Sequence, residues 1–64
     1  MGGFYDLMDE IVAVGLGVPV ETYINIIETK CTEEDAAFII MTIIDEDEDN
    51  LDKAKETFNK YLNE

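Results

Sequence analysis

Histidine, serine, arginine, tryptophan and glutamine are all missing from this 64-residue chain. Without histidine there is no imidazole base, no histidine metal ligand and no Ser-His or Cys-His couple. Without serine the commonest hydroxyl nucleophile is absent as well. Cys31 is the only cysteine, which excludes an intramolecular disulfide and a cysteine-based zinc site. One free thiol and no export signal fit a reducing cytoplasm, the compartment expected here. Met1, Gly2 and Gly3 supply no basic leader region. Gly2 stands where an N-myristoyl acceptor would, but Asp6 occupies the place that motif reserves for Ser or Thr.

Long apolar runs are lacking too. The longest uncharged stretches, Ile11–Val20 and Ala36–Ile44, fall far short of the roughly 20 residues a spanning helix needs, so no membrane association is expected. Positive charge is scarce: four lysines face sixteen acids, for a net charge of −12. Such a surface repels nucleic acid and anionic lipid, so direct nucleic-acid binding is not expected. Its natural partner is something basic. Eight isoleucines and no arginine argue against salt adaptation as the origin of the charge. With 47% hydrophobic residues, the chain has enough apolar material for a core and does not read as a disordered tail.

The patterning predicts an all-α fold, a compact bundle of three to four short helices making one acidic domain over residues 1–64. The first helix is expected near residues 4–14, with Phe4, Leu7, Met8, Ile11 and Val12 at helical spacing and Gly15 and Gly17 as its stop. Pro19 is placed at the first position of a second helix near residues 19–29. Its stripe is Val20, Tyr23, Ile24 and Ile27, with Ile26 off the stripe and touching another element.

Thr32 and Asp35 make a capping-box variant at the start of a third helix near residues 33–44. That segment is apolar nearly all round and rich in β-branched residues, so a short buried strand competes. Its length and its cap favour the helix. A helix of this kind must be central or face a partner. A fourth helix is expected near residues 51–62, capped by Asp49 or Asn50 and carrying Leu51, Ala54, Phe58, Tyr61 and Leu62 on its apolar side. The expected core is Leu7, Ile11, Ile24, Ile27, Phe38, Met41 and Phe58. Ile26 and the third-helix isoleucines Ile39, Ile40, Ile43 and Ile44 look too numerous to face inward. The last four are therefore assigned to a homodimer interface.

Two local patterns resemble known families. Asp45, Asp47, Asp49 and Glu56 stand at positions one, three, five and twelve of a loop similar to the EF-hand calcium loop. The resemblance implies calcium held by those four carboxylates. Asn50 replaces the family's glycine, Asp52 stands where an apolar residue belongs, and no second loop is present to pair with. The simpler reading is an acidic inter-helix loop that caps a helix. Separately, Leu16-Gly17-Val18 between the first two helices and the approach to Ala37-Phe38 resemble the helix order of ubiquitin-associated domains. That similarity supports compact helices only.

Cys31 near Lys30 reads as a small structural thiol, because Glu33, Glu34 and Asp35 oppose its ionisation. No pair of carboxylates stands out as an acid/base couple, and so short a chain has little room for a deep pocket. The remaining signal is the acidic surface. Asp6, Asp9, Glu10, Glu33, Glu34, Asp45, Asp47 and Asp49 are the candidate partner-binding residues. Carboxylates held on helices imitate the spaced charges of a DNA backbone. In size, charge and lack of catalytic equipment the chain resembles small inhibitors from phages and other mobile elements. The expectation is a non-enzymatic protein that inhibits or sequesters a basic-surfaced, nucleic-acid-binding partner. A calcium-responsive helix-loop-helix module and a homo-oligomeric structural or small-ligand-binding protein are the alternatives.

Overall fold

The computed structural model describes residues 6–64. Phe4, at the expected start of the first helix, and Gly2 lie outside the described residues. Four helices follow one another: α1 (Leu7–Leu16), α2 (Val20–Thr29), α3 (Glu33–Ile44) and α4 (Glu48–Leu62), and no strand occurs among the described residues. The segment Phe38–Ile44 is therefore helical.

Glycine chemistry ends α1 at Leu16, two residues later than the sequence suggests. Gly15 lies inside the helix, and Gly17 alone adopts the left-handed conformation, at φ 77°. The Gly17 N–H donates to the Val14 carbonyl at 3.0 Å and the Val18 N–H to the Ala13 carbonyl at 3.1 Å, the paired bonds of a Schellman stop. Pro19 then sits just before α2 as its N-cap, not as its first helical residue, and its carbonyl accepts from the Tyr23 N–H at 3.0 Å. The axes of α1 and α2 bend by 98°. Gly15 earns its place by packing: a Cβ there would lie 2.7 Å from Cγ2 of Ile43, so only glycine lets α1 approach α3 this closely.

Thr32 caps α3 as expected, its Oγ1 accepting from the Asp35 N–H at 3.2 Å. The far end of α3 closes without glycine. The Glu46 N–H donates to the Ile43 carbonyl (3.2 Å) and the Asp47 N–H to the Thr42 carbonyl (3.1 Å), with Glu46 left-handed at φ 53°. This is a second Schellman stop, here with a side chain at the strained position.

α4 begins three residues before the expected 51, with Asp47 and not Asp49 or Asn50 at its N-cap. Glu48 and Asp49 lie in its first turn, where carboxylates are favoured by the unpaired N–H groups and the helix dipole. That local attraction outweighs the mutual repulsion that suggested a longer loop. Asn50 Nδ2 donates to Asp47 Oδ2 at 2.8 Å and steadies the corner.

α3 is central, packed on α1 and on α4. The core is Val12 and Ala13 from α1, Tyr23 and Ile26 from α2, Ile39 and Ile43 from α3, and Ala54 and Phe58 from α4. The Tyr23 and Phe58 rings meet at 6.2 Å between centroids, tilted by 31°. α3 and α4 run antiparallel: Tyr61 near the end of α4 donates its hydroxyl to Asp35 Oδ2 in the first turn of α3.

This core differs from the expected one. Only Phe58 is fully buried among the seven residues named from the sequence. Ile24, Ile27 and Phe38 are half-buried, while Leu7, Ile11 and Met41 are exposed. The physical reason is that α1, α2 and α3 are each apolar on more than one side, so spacing alone leaves the phase of the stripe open. The small residues Ala13 and Gly15 decide it, because they permit the closest backbone approach. The proposed dimer seam is corrected by the same fact. Ile39 and Ile43 are consumed in the protomer's own core, Ile40 is half-buried, and only Ile44 remains exposed. Helices α1 and α4 cover the side of α3 that carries Ile39 and Ile43, while Met41 stays exposed.

Candidate interaction surface

The eight acidic candidates are all exposed or half-exposed, and the fold sorts them into two groups. The twelve residues of α3 make a rod about 18 Å long, with one group at each end.

At the first pole, Asp6 caps α1 and Asp9 and Glu10 fill its first turn. The C-terminal end of α2 and the start of α3 adjoin them. The Asp9 carboxyl is held above the ordinary range, first by partial desolvation and then by the charges of Asp6 and Glu28. The Tyr23 phenol is pushed up to about 12, chiefly by burial, with Asp9, Cys31 and Asp6 adding to the effect. These couplings place α1, α2 and the Cys31 junction around one buried phenol. Glu33 and Glu34 are exposed at the start of α3. Asp35 beside them accepts the Tyr61 hydroxyl bond, which raises the Tyr61 phenol. Burial and the Asp35 charge push the Cys31 thiol up, the direction that disfavours a nucleophilic thiolate.

At the second pole, Asp45 ends α3, Asp47 caps α4 and Asp49 lies in the first turn of α4. A shallow depression beside them is lined by Phe38, Met41, Thr42, Asp45, Asp47 and Asn50. The calcium reading is corrected at this corner. Because α4 starts at Glu48, nine of the twelve residues in the expected ion-binding loop are helical. Asp49 and Glu56 lie seven residues apart on one helix, about 10 Å along its axis, and cannot close on one ion. No group of three or more acidic or thiol side chains among the described residues is arranged to hold a metal.

One feature of the surface escaped the sequence reading. Leu7, Met8, Ile11 and Val14 are 71%, 54%, 51% and 75% exposed and make an apolar ridge along the outer side of α1. Two of them, Leu7 and Ile11, belong to the core that the spacing predicts. The signal was present: Val12, Ala13 and Leu16 form a second apolar stripe on the same short helix, and only one stripe can face α3. Among the described residues no single helix is long and apolar enough to cross a membrane.

Comparison with known proteins leaves the fold and the site to be read on their own terms. No protein-family model matches the chain, and no curated protein and no solved structure shows significant similarity to it.

Proposed function

We propose that this chain is a non-catalytic binding module that docks on a basic-surfaced protein and blocks it. The observation that supports this most is the placement of its charge. Sixteen carboxylates oppose four ammonium groups, and the eight candidate acids lie at the surface in two poles at the ends of a rigid helix. Among the described residues no three of them are gathered to hold a metal. Helices fix the spacing of the poles, so little ordering entropy is lost when a positive groove meets them. A net charge of −12 raises the rate of encounter with such a groove, over a range of about 8 Å at physiological salt.

A groove that normally takes a nucleic-acid backbone is the finer reading. It accounts for carboxylates carried on rigid helices, where a merely solubilising charge has no need of fixed spacing. A cytoplasmic setting and an inhibitor carried by a mobile element follow from the same reading.

The test is capture of partners on the immobilised chain at low and high salt, with duplex DNA as competitor. Captured proteins should be basic, should elute as salt rises and should be displaced by DNA. A variant with Asp45, Asp47 and Asp49 each changed to Lys should capture less while keeping its helical circular dichroism. Partners held equally at all salt concentrations and by that variant would overturn the proposal.

A further inference from the structure

We infer that the outer face of α1 is the affinity-determining part of this binding surface and that it takes a cationic amphipathic helix; the inference rests on the acidic-module reading above. Leu7, Ile11 and Val14 follow one another at i, i+4 and i+7, which puts them on one line of the helix, with Met8 beside it. The line extends about 10 Å, close to two turns of an opposing helix. α1 cannot hide this ridge by rotating. Its opposite side already buries Val12 and Ala13, and Gly15 is locked against Ile43 at a distance no other residue tolerates.

Charge decides what covers the ridge. Leu7, Ile11 and Val14 line a shallow depression together with Glu10, so an apolar floor carries a carboxylate at its rim. Asp6 and Asp9 stand at one end of α1. Beyond the other end, Glu46 and Glu48 border the hollow that contains Gly15. α1 has no cation of its own: Lys30 follows α2, and Lys53, Lys55 and Lys60 are on α4. A second copy seated here would set two Glu10 carboxylates and two chains of −12 against each other. A helix with apolar residues at the same spacing, flanked by Lys or Arg, fills the depression and neutralises its rim. In such a pairing the charges steer and the ridge holds.

The experiment titrates the full chain with a labelled leucine-lysine peptide patterned as an amphipathic helix. A scrambled peptide of identical composition without the pattern is the comparison. At about 150 mM salt the patterned peptide should bind at least roughly tenfold more tightly than the scrambled one. The variant Leu7→Ser/Ile11→Ser should lose that factor. Both positions are solvent-exposed, so the variant should keep its fold, which circular dichroism checks. Val14→Ser is a second, milder reporter. Reversal of Asp45, Asp47 and Asp49 to Lys, at the far pole, should weaken both peptides alike and leave the preference for the patterned one unchanged.

Equal binding of both peptides, lost as salt rises, would overturn the ridge while leaving the acidic reading in place. No binding of either peptide would overturn both. A concentration-dependent dimer in analytical ultracentrifugation that Leu7→Ser/Ile11→Ser abolishes would make a second copy the occupant and refute the assignment. Ridge-dependent partition onto phosphatidylcholine vesicles would refute it in favour of a membrane. Peptide binding that emerges only after residues 1–5 are deleted would assign the ridge to the chain itself.

Discussion

Glu46 holds a left-handed backbone at φ 53° so that α3 can stop and α4 can start. A side chain in that conformation costs roughly 1–2 kcal/mol because its Cβ crowds the carbonyl oxygen. Replacing it with glycine removes the crowding but gives the unfolded chain more freedom, which returns about 0.5–1 kcal/mol. Glu46→Gly should therefore stabilise the fold by about 0.5–1 kcal/mol. For a chain of this size that is a rise in Tm of roughly 2–8 °C. The substitution also removes one charge from a run of acids, which needs a control. Glu46→Gln removes the same charge and keeps the strain, and should gain only a few tenths of a kcal/mol. Glu46→Asn, which tolerates this conformation, should fall between them. Urea and thermal unfolding followed by circular dichroism measure all three. If Gln matched Gly, charge relief and not backbone geometry would be the cause, and the account of the corner would be refuted.

Four further outcomes are expected. The Tyr23 phenol ionises near 10 when unfolded and at about 12 in the fold, so its neutral, buried form contributes stability that is fully present below pH 10 and is lost as pH rises through 12; a Tyr23→Phe variant should lose that component of the alkaline transition. Phe58→Ala should cost about 3–5 kcal/mol, comparable to the whole stability of a domain this small, and should leave the chain largely unfolded in a proton NMR spectrum. Thr32→Ala removes the cap on α3 and should cost about 1 kcal/mol, read as a lower urea midpoint, whereas Thr32→Asp should restore it. Calcium and magnesium at equal concentration should raise Tm by similar amounts through screening of the second pole, and Glu56→Gln should leave the calcium response unchanged, since Glu56 lies about two helical turns away from Asp49.

The helices were legible where one residue type does one job. Thr32 marks the start of α3, Gly17 the end of α1, and the α4 stripe from Leu51 to Tyr61 faces inward because its other side is fully polar. Phase was not legible in α1, α2 and α3, whose apolar residues cover more than one side. In α1 the larger side chains, Leu7 and Ile11, marked the more prominent stripe, yet the fold buries Val12 and Ala13. Close approach of two helix backbones depends on what is small, and hydropathy patterns are dominated by what is large. The start of α4 was misplaced for an electrostatic reason, because a run of acids reads as a solvated loop until its residues are seen as favourable occupants of a first helical turn. Among the site residues, the surface positions of the acids were legible from their chemistry. Their division into two poles was not, since it depends on the length of α3 and on how α1 lies against it.

The two poles and the ridge make different demands on the fold, and together they bear on how the surface would work. Each pole concentrates like charge at a helix end: the Asp9 carboxyl is held above its ordinary range, first by partial desolvation and then by the charges of Asp6 and Glu28, and Glu46 is strained between Asp45 and Asp47. The ridge leaves four large apolar side chains in water on a chain that has little apolar area to spare. Leu7 and Ile11 lie outside the buried cluster, so exchanging them for polar residues removes no core side chain, and core packing gives little reason for their being apolar. Charge alone gives fast encounter and weak, salt-sensitive retention, whereas an apolar ridge alone gives slow encounter and indiscriminate adhesion. A partner that carries cations on either side of an apolar helical face would satisfy both features at once. Salt should then act mainly on its association rate and ridge truncation mainly on its dissociation rate. If stopped-flow kinetics found both perturbations acting on association alone, the ridge would have no part in holding the partner.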